Sequence, residues 1–249
     1  MAFTPLSSIG RYFSLMFRVF SKPEKFSVYI RQIIFEINNL GISSLPIIAI
    51  ISVFMGGIIT IQAAFGFDNP MVPIYAVGYT TRESVILEFS PTIVCLILAG
   101  KVGSNIASEI GTMRISEQID ALEIMGINSA GYLIFPKIAG AVFIFPFLIA
   151  ISMFLGLWGG YVMGISAGAC SAYEYVFGIQ AYFEPWKLYY AFTKVVVFAF
   201  IITSVSAYYG YYTHGGALEV GRSSTNAVVY SSILILLFSL ILTNLFFNR

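Results

Sequence analysis

The stretch ISSLPIIAIISVFMGGIITIQAAF, residues 42–65, decides the class of this protein. It contains no charged side chain, and it is longer than the roughly 20 residues that a helix needs to cross the hydrocarbon core of a bilayer. The whole chain has the same character, because 58% of its 249 residues are hydrophobic and only 10% are charged. A soluble domain is about 45–50% hydrophobic. The sequence therefore predicts an all-α integral membrane protein.

Five stretches are long and apolar enough to span a membrane, so we predict five transmembrane helices, at about 42–65, 84–108, 133–163, 187–210 and 226–247. An odd number of spans places the two termini on opposite sides of the membrane. The predicted loops 66–83 and 164–186 are too short to hold an external domain, and no linker rich in Ser, Gly or charge divides the chain. We therefore predict a single domain over residues 1–249.

The positive charges indicate which end faces the cytoplasm, since Lys and Arg concentrate in cytoplasmic loops. One set of span flanks holds nine of them, namely Arg11, Arg18, Lys22, Lys25, Arg31, Lys101, Arg114, Lys137 and Arg222. The opposite set holds three, Arg82, Lys187 and Arg249. This asymmetry predicts a cytoplasmic N-terminus, a cytoplasmic loop at 109–132 and a C-terminus on the outer, periplasmic side.

The first twenty residues have the pattern of a helix that lies in the membrane surface. Apolar side chains recur on one helical face, and they are Ile9, Phe13, Met16, Phe17 and Phe20. The opposite face carries Arg11, Ser14 and Arg18. An amphipathic helix with basic residues on its polar face binds at the headgroup layer. We therefore predict an interfacial helix at residues 6–22, ended by Pro23; the alternative is a disordered tail.

A short acidic segment, SEQIDALEIMG at 116–126, separates the second and third predicted spans. Ser116 is a good N-cap and Gly126 can close the C-terminus, so we predict a helix at 117–125. A helix of this length is not stable alone in water. It must therefore be supported by contacts on its sides.

The acidic helix has two different faces. Its three acids lie within about 120° of one another on a helical wheel, and they are Glu117, Asp120 and Glu123. The apolar residues Ile119 and Leu122 point the opposite way. The pattern predicts apolar support on one side and a polar partner on the other. From the residues alone, both a docking element and a solvated helix that only turns the chain remain open.

Small residues repeat every four positions just before this helix, in the run AGKVGSNIASEIGTM. They form two adjacent stripes, Gly100, Ser104 and Ser108, and Gly103, Ala107 and Gly111. Small residues at this spacing let helices approach closely within a membrane. We therefore predict that the end of the second span is a tightly packed stem, so that a force on the acidic helix reaches the spans.

The run GKVGSNIASEIGTMRISEQIDALEIMGINSAGYLIFPKIAG, residues 100–140, resembles the signature of the MlaE-type (YrbE-like) permeases. Those proteins are membrane subunits of ABC transporters that move phospholipid or other hydrophobic molecules together with MCE-domain proteins. A second stretch, EVGRSSTNAVVYSSILILLFSLILT at 219–243, is similar to the loop and last span of that family. The resemblance extends over nearly the whole chain in length and topology.

The resemblance implies that the acidic helix is a coupling helix that inserts into a cleft on a separate cytoplasmic ABC ATPase. The residues that would contact this ATPase are Glu117, Gln118, Asp120, Ala121, Leu122 and Glu123. The partner would use ATP and Mg²⁺, and this chain is expected to bind no cofactor. The resemblance also implies a second copy of the chain, an MCE-domain partner on the periplasmic side and a bacterial inner membrane. The last span would then help to line a hydrophobic pocket between the two copies.

Two ionisable side chains inside predicted spans are candidates for the substrate path, Glu88 in the second span and Lys194 in the fourth. A charge within the bilayer is costly and usually has a function. Both residues lie at a similar depth from the outer ends of their helices, which permits an ion pair. The alternatives are that Lys194 snorkels alone and that Glu88 is protonated or faces water.

Four glycines recur at intervals of four residues around the end of the third span, Gly156, Gly160, Gly164 and Gly168. Such a stripe can pack a neighbouring helix closely or leave a groove for an acyl chain. The sequence leaves both alternatives open.

Motifs of nucleotide-binding and metal-dependent enzymes are missing from the sequence. It contains no phosphate loop G-x-x-x-x-G-K-[ST] and no H-E-x-x-H. The two cysteines, Cys95 and Cys170, are too few for a metal cluster, and His214 is the only histidine. We expect no catalytic residue, no metal site and, at a net charge of +1, no nucleic-acid partner.

The leading interpretation is a permease subunit, without its own nucleotide site, of an ATP-driven lipid transporter. The alternative from another class is a membrane enzyme or assembly subunit that handles a lipid without ATP. An enzyme would need a polar cluster at one depth, and beyond Glu88 and Lys194 the sequence shows none. An ion channel would need a polar stripe along a span, which no predicted span contains.

Overall fold

The computed structural model describes residues 5–21, 26–67 and 72–248, and over these ranges it consists of helices joined by short turns, with no β-strand. The helices are α1 (Pro5–Phe20), α2 (Phe26–Glu36), α3 (Leu45–Gly66), α4 (Tyr75–Ser84), α5 (Val94–Leu98), α6 (Ser104–Ile115), α7 (Gln118–Ile124), α8 (Ser129–Ser166), α9 (Ala172–Gln180), α10 (Trp186–Tyr211) and α11 (Ala217–Phe247). Three π-helical segments lie between them, Ile37–Gly41, Val85–Ile93 and Ala99–Gly103.

Within the described ranges, five continuous helical segments are long and apolar enough to cross a membrane, Tyr29–Gly66, Tyr75–Ile115, Ser129–Ser166, Trp186–Tyr211 and Ala217–Phe247. Each of them contains one of the five stretches predicted from hydropathy. The prediction of an all-α integral membrane protein with five spans is confirmed. The third and fourth spans also end close to their predicted bounds.

The first span helix begins well before residue 42, where the sequence predicts its start. α2 continues through the π-helical turn Ile37–Gly41 and a 3-10 turn at Ile42–Ser44 into α3. The predicted boundary is wrong because polar residues such as Arg31 mark an aqueous flank without ending the helix. Pro46 does not end it either, because it lies in the first turn of α3, where a proline is tolerated.

The second span helix also begins earlier than predicted, at Tyr75 instead of residue 84, and it runs to Ile115. It widens into a π-helix at Val85–Ile93, and this segment contains Pro91. Proline has no N–H and its ring collides with the preceding turn of an α-helix. A π-helical segment locally changes the hydrogen-bond pattern, so the helix continues past the proline.

Each of the two predicted loops, 66–83 and 164–186, contains a helix that hydropathy does not detect, α4 and α9. α9 begins with a capping box, in which the Ser171 side chain accepts from the backbone N–H of Glu174 and the Glu174 carboxylate accepts from the backbone of Ser171. This S-x-x-E spacing is a helix-start signal present in the sequence. The prediction of plain loops is therefore wrong at these positions.

α4 and α9 pack with their backbones in close approach. A Cβ added to Gly78 would collide with the carbonyl oxygen of Tyr175, and one added to Gly178 would collide with that of Tyr75. Only glycine leaves room for these contacts. α9 therefore packs tightly against α4, which is the first part of the second span helix.

The fifth span helix starts at Ala217 instead of the predicted residue 226. Its polar first turns are stabilised by an ion pair with i, i+3 spacing between Glu219 and Arg222, whose Oε1 and Nη1 atoms are 2.6 Å apart. Arg222 therefore lies in the helix and not in the preceding loop. His214 lies in that loop and is exposed.

The helix predicted at 6–22 is present as α1, Pro5–Phe20, and its position in the membrane surface stays a prediction. Its exposed stripe consists of Ile9, Phe13, Phe17 and Phe20. The prediction is wrong for Met16, which is only 7% exposed, because a second apolar stripe packs into the protein, made of Leu15, Met16 and Val19. Pro23, predicted to end the helix, lies outside the described residues.

The chain divides into two compact units. The first is drawn from Met1–Ile42, Leu96–Ile144 and Val197–Phe238, and its core includes the fully buried Ile106, Ile134 and Ile202. The second is drawn from Ser43–Cys95, Phe145–Val196 and Ser239–Arg249, and its core includes the fully buried Phe145, Tyr190 and Val195. The single domain over 1–249 stays a prediction.

Within the second unit, α3 and α8 approach each other through glycines. A Cβ on Gly56 would collide with the carbonyl oxygen of Gly156, and a Cβ on Gly159 would collide with that of Val53. The hydroxyls of Ser52 and Ser152 are hydrogen-bonded at 2.8 Å beside this contact.

The glycine repeat of the third span is therefore used for close packing at its first three positions. An added Cβ on Gly160 or Gly164 would collide with side-chain atoms of Thr60. Gly168 lies past the end of α8 with φ +69°, in the left-handed region that glycine adopts without strain. The alternative of a groove for an acyl chain at these glycines is not what the structure contains.

We expect Gly56→Ala to lower the unfolding free energy by roughly 1–3 kcal/mol, because the new methyl group must push α3 away from α8. The matched control is Gly221→Ala in α11, where an added Cβ has no atom within 4 Å. There the better helix propensity of alanine should raise stability by up to about 1 kcal/mol. Thermal unfolding of both variants in detergent measures the difference. Equal midpoints for the two variants would contradict the close α3–α8 contact.

Candidate functional site

The stem that carries the acidic helix is α6, and one of its two predicted stripes packs in the first unit. A Cβ on Gly103 would lie 2.8 Å from Oγ of Ser206, and a Cβ on Gly210 would lie 2.8 Å from the carbonyl oxygen of Ala107. Gly111 continues the same stripe against the first turns of α11. The stripe formed by Gly103, Ala107 and Gly111 thus holds α6 against α10 and α11.

The other predicted stripe packs less closely. An added Cβ on Gly100 has no atom within 4 Å, and the Ser104 hydroxyl donates to the carbonyl oxygen of Gly100 in its own helix. The Ser108 hydroxyl is hydrogen-bonded at 2.7 Å to that of Ser224 in α11. Of this stripe, Ser108 makes the connection to a neighbouring helix.

The acidic helix itself is α7, Gln118–Ile124, slightly shorter than the predicted 117–125. Ser116 is not its N-cap, because the Ser116 hydroxyl donates at 2.7 Å to the carbonyl oxygen of Thr112 and so belongs to the end of α6. Glu117 is at the N-cap and is exposed, with φ 60° in the left-handed region. The chain reverses sharply between the two helices, and a strained conformation of this kind costs on the order of 1 kcal/mol or more.

The end of α7 agrees with the prediction for Gly126. This residue has φ +79°, and its N–H bonds at 3.0 Å to the carbonyl oxygen of Glu123. The next N–H, of Ile127, bonds at 3.1 Å to the carbonyl oxygen of Leu122, whose side chain is half-buried. These are the backbone bonds of a glycine-terminated helix.

Asp120 is turned towards the protein, where it forms an ion pair with Arg114 of the stem at 2.6 Å between Oδ1 and Nη1. The Arg114 guanidinium also lies 5.9 Å from the centre of the Tyr211 ring in α10. Asp120 therefore links the acidic helix to its own stem.

Glu123 is also bound to the chain, and its Oε1 atom accepts three hydrogen bonds although the side chain is 40% exposed. The donors are Arg18 Nη2 at 3.2 Å, Ser129 Oγ at 2.9 Å and Tyr211 OH at 3.0 Å. Partial burial by itself would raise the pKa of the Glu123 carboxyl, but the hydrogen bonds from Ser129, Tyr211 and Arg18 outweigh it and lower the pKa. The carboxylate is therefore ionised at neutral pH.

The surface that α7 presents to solvent is apolar as well as acidic. Ile119 is fully buried beneath the helix, while Gln118 and Ala121 are exposed. Ile124 is 88% exposed and Met125 is 65% exposed. Asp120 and Glu123 find polar partners within the chain, but their side chains are still 48% and 40% exposed, so their contact with an ATPase stays a prediction.

The second candidate site lies in the second unit, where the structure brings Glu88 and Lys194 together. Lys194 Nζ is 2.9 Å from Glu88 Oε1 and 4.7 Å from the centre of the Tyr190 ring. The Thr92 hydroxyl donates to Glu88 Oε2 at 3.0 Å and is 3.4 Å from the Ser239 hydroxyl. Lys194 is fully buried, whereas the Glu88 side chain is 53% exposed.

Lys194 also approaches the backbone of the second span helix. Its Nζ atom lies 3.4 Å from the carbonyl oxygen of Leu87, in the π-helical segment Val85–Ile93. The ammonium group therefore meets both a carboxylate and a backbone carbonyl, which are the usual partners of a lysine within a membrane span.

A third charged cluster, which sequence reasoning missed, lies in the first unit. Lys137 is buried and its Nζ is 2.6 Å from Glu36 Oε1 and 2.7 Å from Glu109 Oε2. The prediction treats Lys137 only as a flanking charge, although the residue lies inside the predicted span 133–163. A lysine inside a predicted span was the signal in the sequence that could have indicated a buried ion pair.

The segment GISAG at 164–168 has the G-x-S-x-G spacing of a hydrolase nucleophile turn. In the structure Ser166 is the last residue of α8, and its hydroxyl donates at 3.1 Å to the carbonyl oxygen of Met163. The hydrolase motif requires a strand-to-helix turn. The spacing therefore carries no catalytic meaning here.

The metal-binding side chains give no further site. Among the residues that the structure describes, no three His, Cys, Asp or Glu side chains come together in a group that could hold a metal ion. The expected absence of a metal and of a cofactor on this chain stays a prediction.

Comparison with known proteins identifies the family. The sequence matches the family described as Permease MlaE over residues 33–245. It is 38% identical over 245 residues to a probable ABC transporter permease protein of Rickettsia bellii, covering 97% of this chain and 93% of that protein. A probable ABC transporter permease protein of Synechocystis is 33% identical over 223 residues, covering 88% of this chain and 82% of that protein. The protein TRIGALACTOSYLDIACYLGLYCEROL 1, chloroplastic, of Arabidopsis thaliana is 29% identical over 229 residues, covering 90% of this chain and 64% of that protein. Because these matches extend over nearly the whole chain, this multi-pass membrane protein belongs to the MlaE permease family and has the role of a permease.

Proposed function

We propose that this chain is the permease subunit of an ATP-driven transporter that moves phospholipid or a similar hydrophobic molecule between a bacterial inner membrane and an MCE-domain partner. Two copies of the chain would act together with two copies of a cytoplasmic ATPase. The ATPase would use ATP and Mg²⁺, while this chain supplies the spans and the docking element. The N-terminus and α7 would then face the cytoplasm, and the C-terminus the periplasm.

The observation that carries the proposal is the exposed apolar surface on α7, formed by Ala121, Ile124 and Met125. An isoleucine that is 88% exposed on a polar turn between spans is unfavourable unless a partner covers it. The helix is rigidly held on its opposite side by Ile119 and by the inward ion pairs of Asp120 and Glu123. A short, preformed helix with one apolar face suits a groove on a partner protein.

The family resemblance implies six residues that contact the ATPase, and their exposure in the structure divides them into two groups. Glu117, Gln118 and Ala121 are exposed and free to meet an ATPase, together with Ile124 and Met125. Leu122 is half-buried. Asp120 and Glu123 are turned to the chain's own arginines, so we assign them to support of the docking surface.

A lipid as the transported molecule is supported by the character of α11. Its exposed residues are large and aliphatic, Ile233, Leu236, Leu240 and Leu245 among them. Such a surface can pack against acyl chains or against the same surface of a second copy. In the proposed pocket between two copies, α11 would make both kinds of contact. One relative, the Arabidopsis protein, carries the name of a glycolipid.

Glu88 and Lys194 are the proposed polar part of the substrate path. The Glu88 carboxylate is half-exposed inside a predicted span, while Lys194 holds it from the buried side. An exposed carboxylate in a membrane span is costly unless water or a polar group reaches it. A lipid headgroup that passes Glu88 would supply such a group.

We expect Ile124→Glu to abolish copurification of the ATPase with the tagged chain from native membranes. A charge at the centre of an apolar interface removes a contact of about 2 kcal/mol or more and adds a desolvation cost, so binding should fall at least tenfold. The matched control is Leu218→Glu, because Leu218 is also an exposed aliphatic residue, at the start of α11.

The controls separate the outcomes of this experiment. The ATPase should accompany the wild type and Leu218→Glu in equal amounts, and the level of the membrane subunit should be the same in all three. An ATPase that remains bound to Ile124→Glu would refute the docking surface. No ATPase with the wild type would refute the transporter itself.

We expect Lys194→Met to lower both thermal stability and lipid transfer, because it leaves Glu88 without its cation. The loss of stability should be smaller than the roughly 3–5 kcal/mol that breaking a fully buried pair costs, since the Glu88 side chain is 53% exposed. Lys194→Arg should keep most of both properties. Glu88→Gln/Lys194→Met removes both charges and should recover part of the stability but not of the transfer. If Lys194→Met unfolds at the wild-type temperature, the pair has no structural role.

A further inference from the structure

Glu123 connects α7 to three other helices of the first unit. Its donors are Arg18 near the end of α1, Ser129 at the first position of α8 and Tyr211 at the last position of α10. All three bonds converge on a single oxygen atom, Oε1. The hydroxyl oxygens of Ser129 and Tyr211 also lie 2.9 Å apart.

The end of α1 is attached to the same region a second time. The side-chain amide of Asn128, which follows α7, donates to the carbonyl oxygens of Arg18 at 2.8 Å and of Ser21 at 3.3 Å. A Cβ on Gly131 would lie 3.3 Å from the carbonyl oxygen of Val19, so α8 also begins in close contact with α1. The end of α1 therefore cannot stay in place when α7 and the turn after it move.

The opposite face of α1 is apolar and exposed. Phe13, Phe17 and Phe20 project away from the protein, and Phe17 is 77% exposed. A helix with such a face, on a chain with five spans, lies in the surface of the bilayer. This face suits lipid. On its other side α1 is held by Arg18 and Asn128 near its end, and by the hydrogen bond at 2.8 Å between Tyr12 OH and Ser204 Oγ of α10.

We propose that Glu123 is a positioning residue that transmits movement of α7 to the interfacial helix α1 and to the span helix α10. This inference rests on the proposed function, because α7 moves only if an ATPase binds its outer face. Arg18 carries the movement to α1, and Tyr211 carries it to α10. The role of Glu123 in this proposal lies in the three bonds that its Oε1 atom accepts from the chain.

The test uses the complex of this chain with its ATPase in lipid nanodiscs. Hydrogen exchange of the peptides that cover residues 5–20 and 197–211 is measured with and without a nonhydrolysable ATP analogue. In the wild type, nucleotide should change the exchange of both peptides. Glu123→Met keeps the length and helix propensity of the side chain while removing its acceptors, and it should abolish both changes.

Two variants outside α7 separate the connections. Arg18→Gln should reduce the change in 5–20 more than that in 197–211, whereas Tyr211→Phe should do the reverse. Neither variant should abolish a change completely, because the Tyr12–Ser204 hydrogen bond also joins α1 to α10. A merely structural loss would not give this selectivity. The matched controls are Glu219→Met, which removes the exposed ion pair with Arg222, and Tyr212→Phe, and both should behave as the wild type.

Copurification of the ATPase distinguishes failure of this inference from failure of the proposed function. All five variants should retain the ATPase. If Glu123→Met loses the ATPase while folded, Glu123 is a docking contact and the inference is wrong. The inference is also wrong if Glu123→Met keeps both exchange changes, or if Arg18→Gln and Tyr211→Phe affect the two peptides alike. If the wild type carries no ATPase, the proposed function fails and this inference with it.

Discussion

The structure depends on one constraint, which is that backbone N–H and C=O groups in the hydrocarbon core must find partners within the protein. Helices meet this constraint without a second strand, and the spans of this chain are accordingly helical throughout. Pro91 interrupts the α-helical pattern, because it has no N–H to donate. The π-helical segment Val85–Ile93 keeps the second span helix continuous past the proline. Lys194 Nζ lies 3.4 Å from the Leu87 carbonyl oxygen of that segment, in addition to its ion pair with Glu88.

Small residues allow the span helices to pack closely, which is the second requirement of the structure. Lipid tails are as apolar as leucine, so the hydrophobic effect does not drive span helices together, and close packing must do so. In the second unit this contact is Gly56 against Gly156, and in the first it is Gly103 against Ser206. These two glycine contacts differ in their relation to the acidic helix. The α3–α8 contact is far along the chain from the acidic helix, whereas the α6 contact makes a rigid stem directly before α7.

Hydropathy predicted the number of spans because a span is defined by length and apolar character, which a window of sequence contains. It misplaced three helix starts, because a helix can continue into polar sequence when caps or ion pairs support it, as Glu219 and Arg222 do in α11. Depth along the spans was enough to suggest the Glu88–Lys194 pair. The hydrogen-bond partners of Glu123 were beyond prediction, because Arg18 and Tyr211 are 105 and 88 residues away in sequence.

The acidic helix resolves a conflict between folding and docking. A helix of seven residues does not hold its shape alone, yet a docking surface must be preformed if binding is not to bear the entropy of ordering it. In α7 one face holds the helix to the protein, and the other face is left to bind a partner. Asp120, Glu123 and Ile119 fix the helix to the protein, and Ile124 and Met125 remain for a partner. Because the fixing contacts lead to α1, α6 and α10, whatever displaces the outer face must also displace those helices.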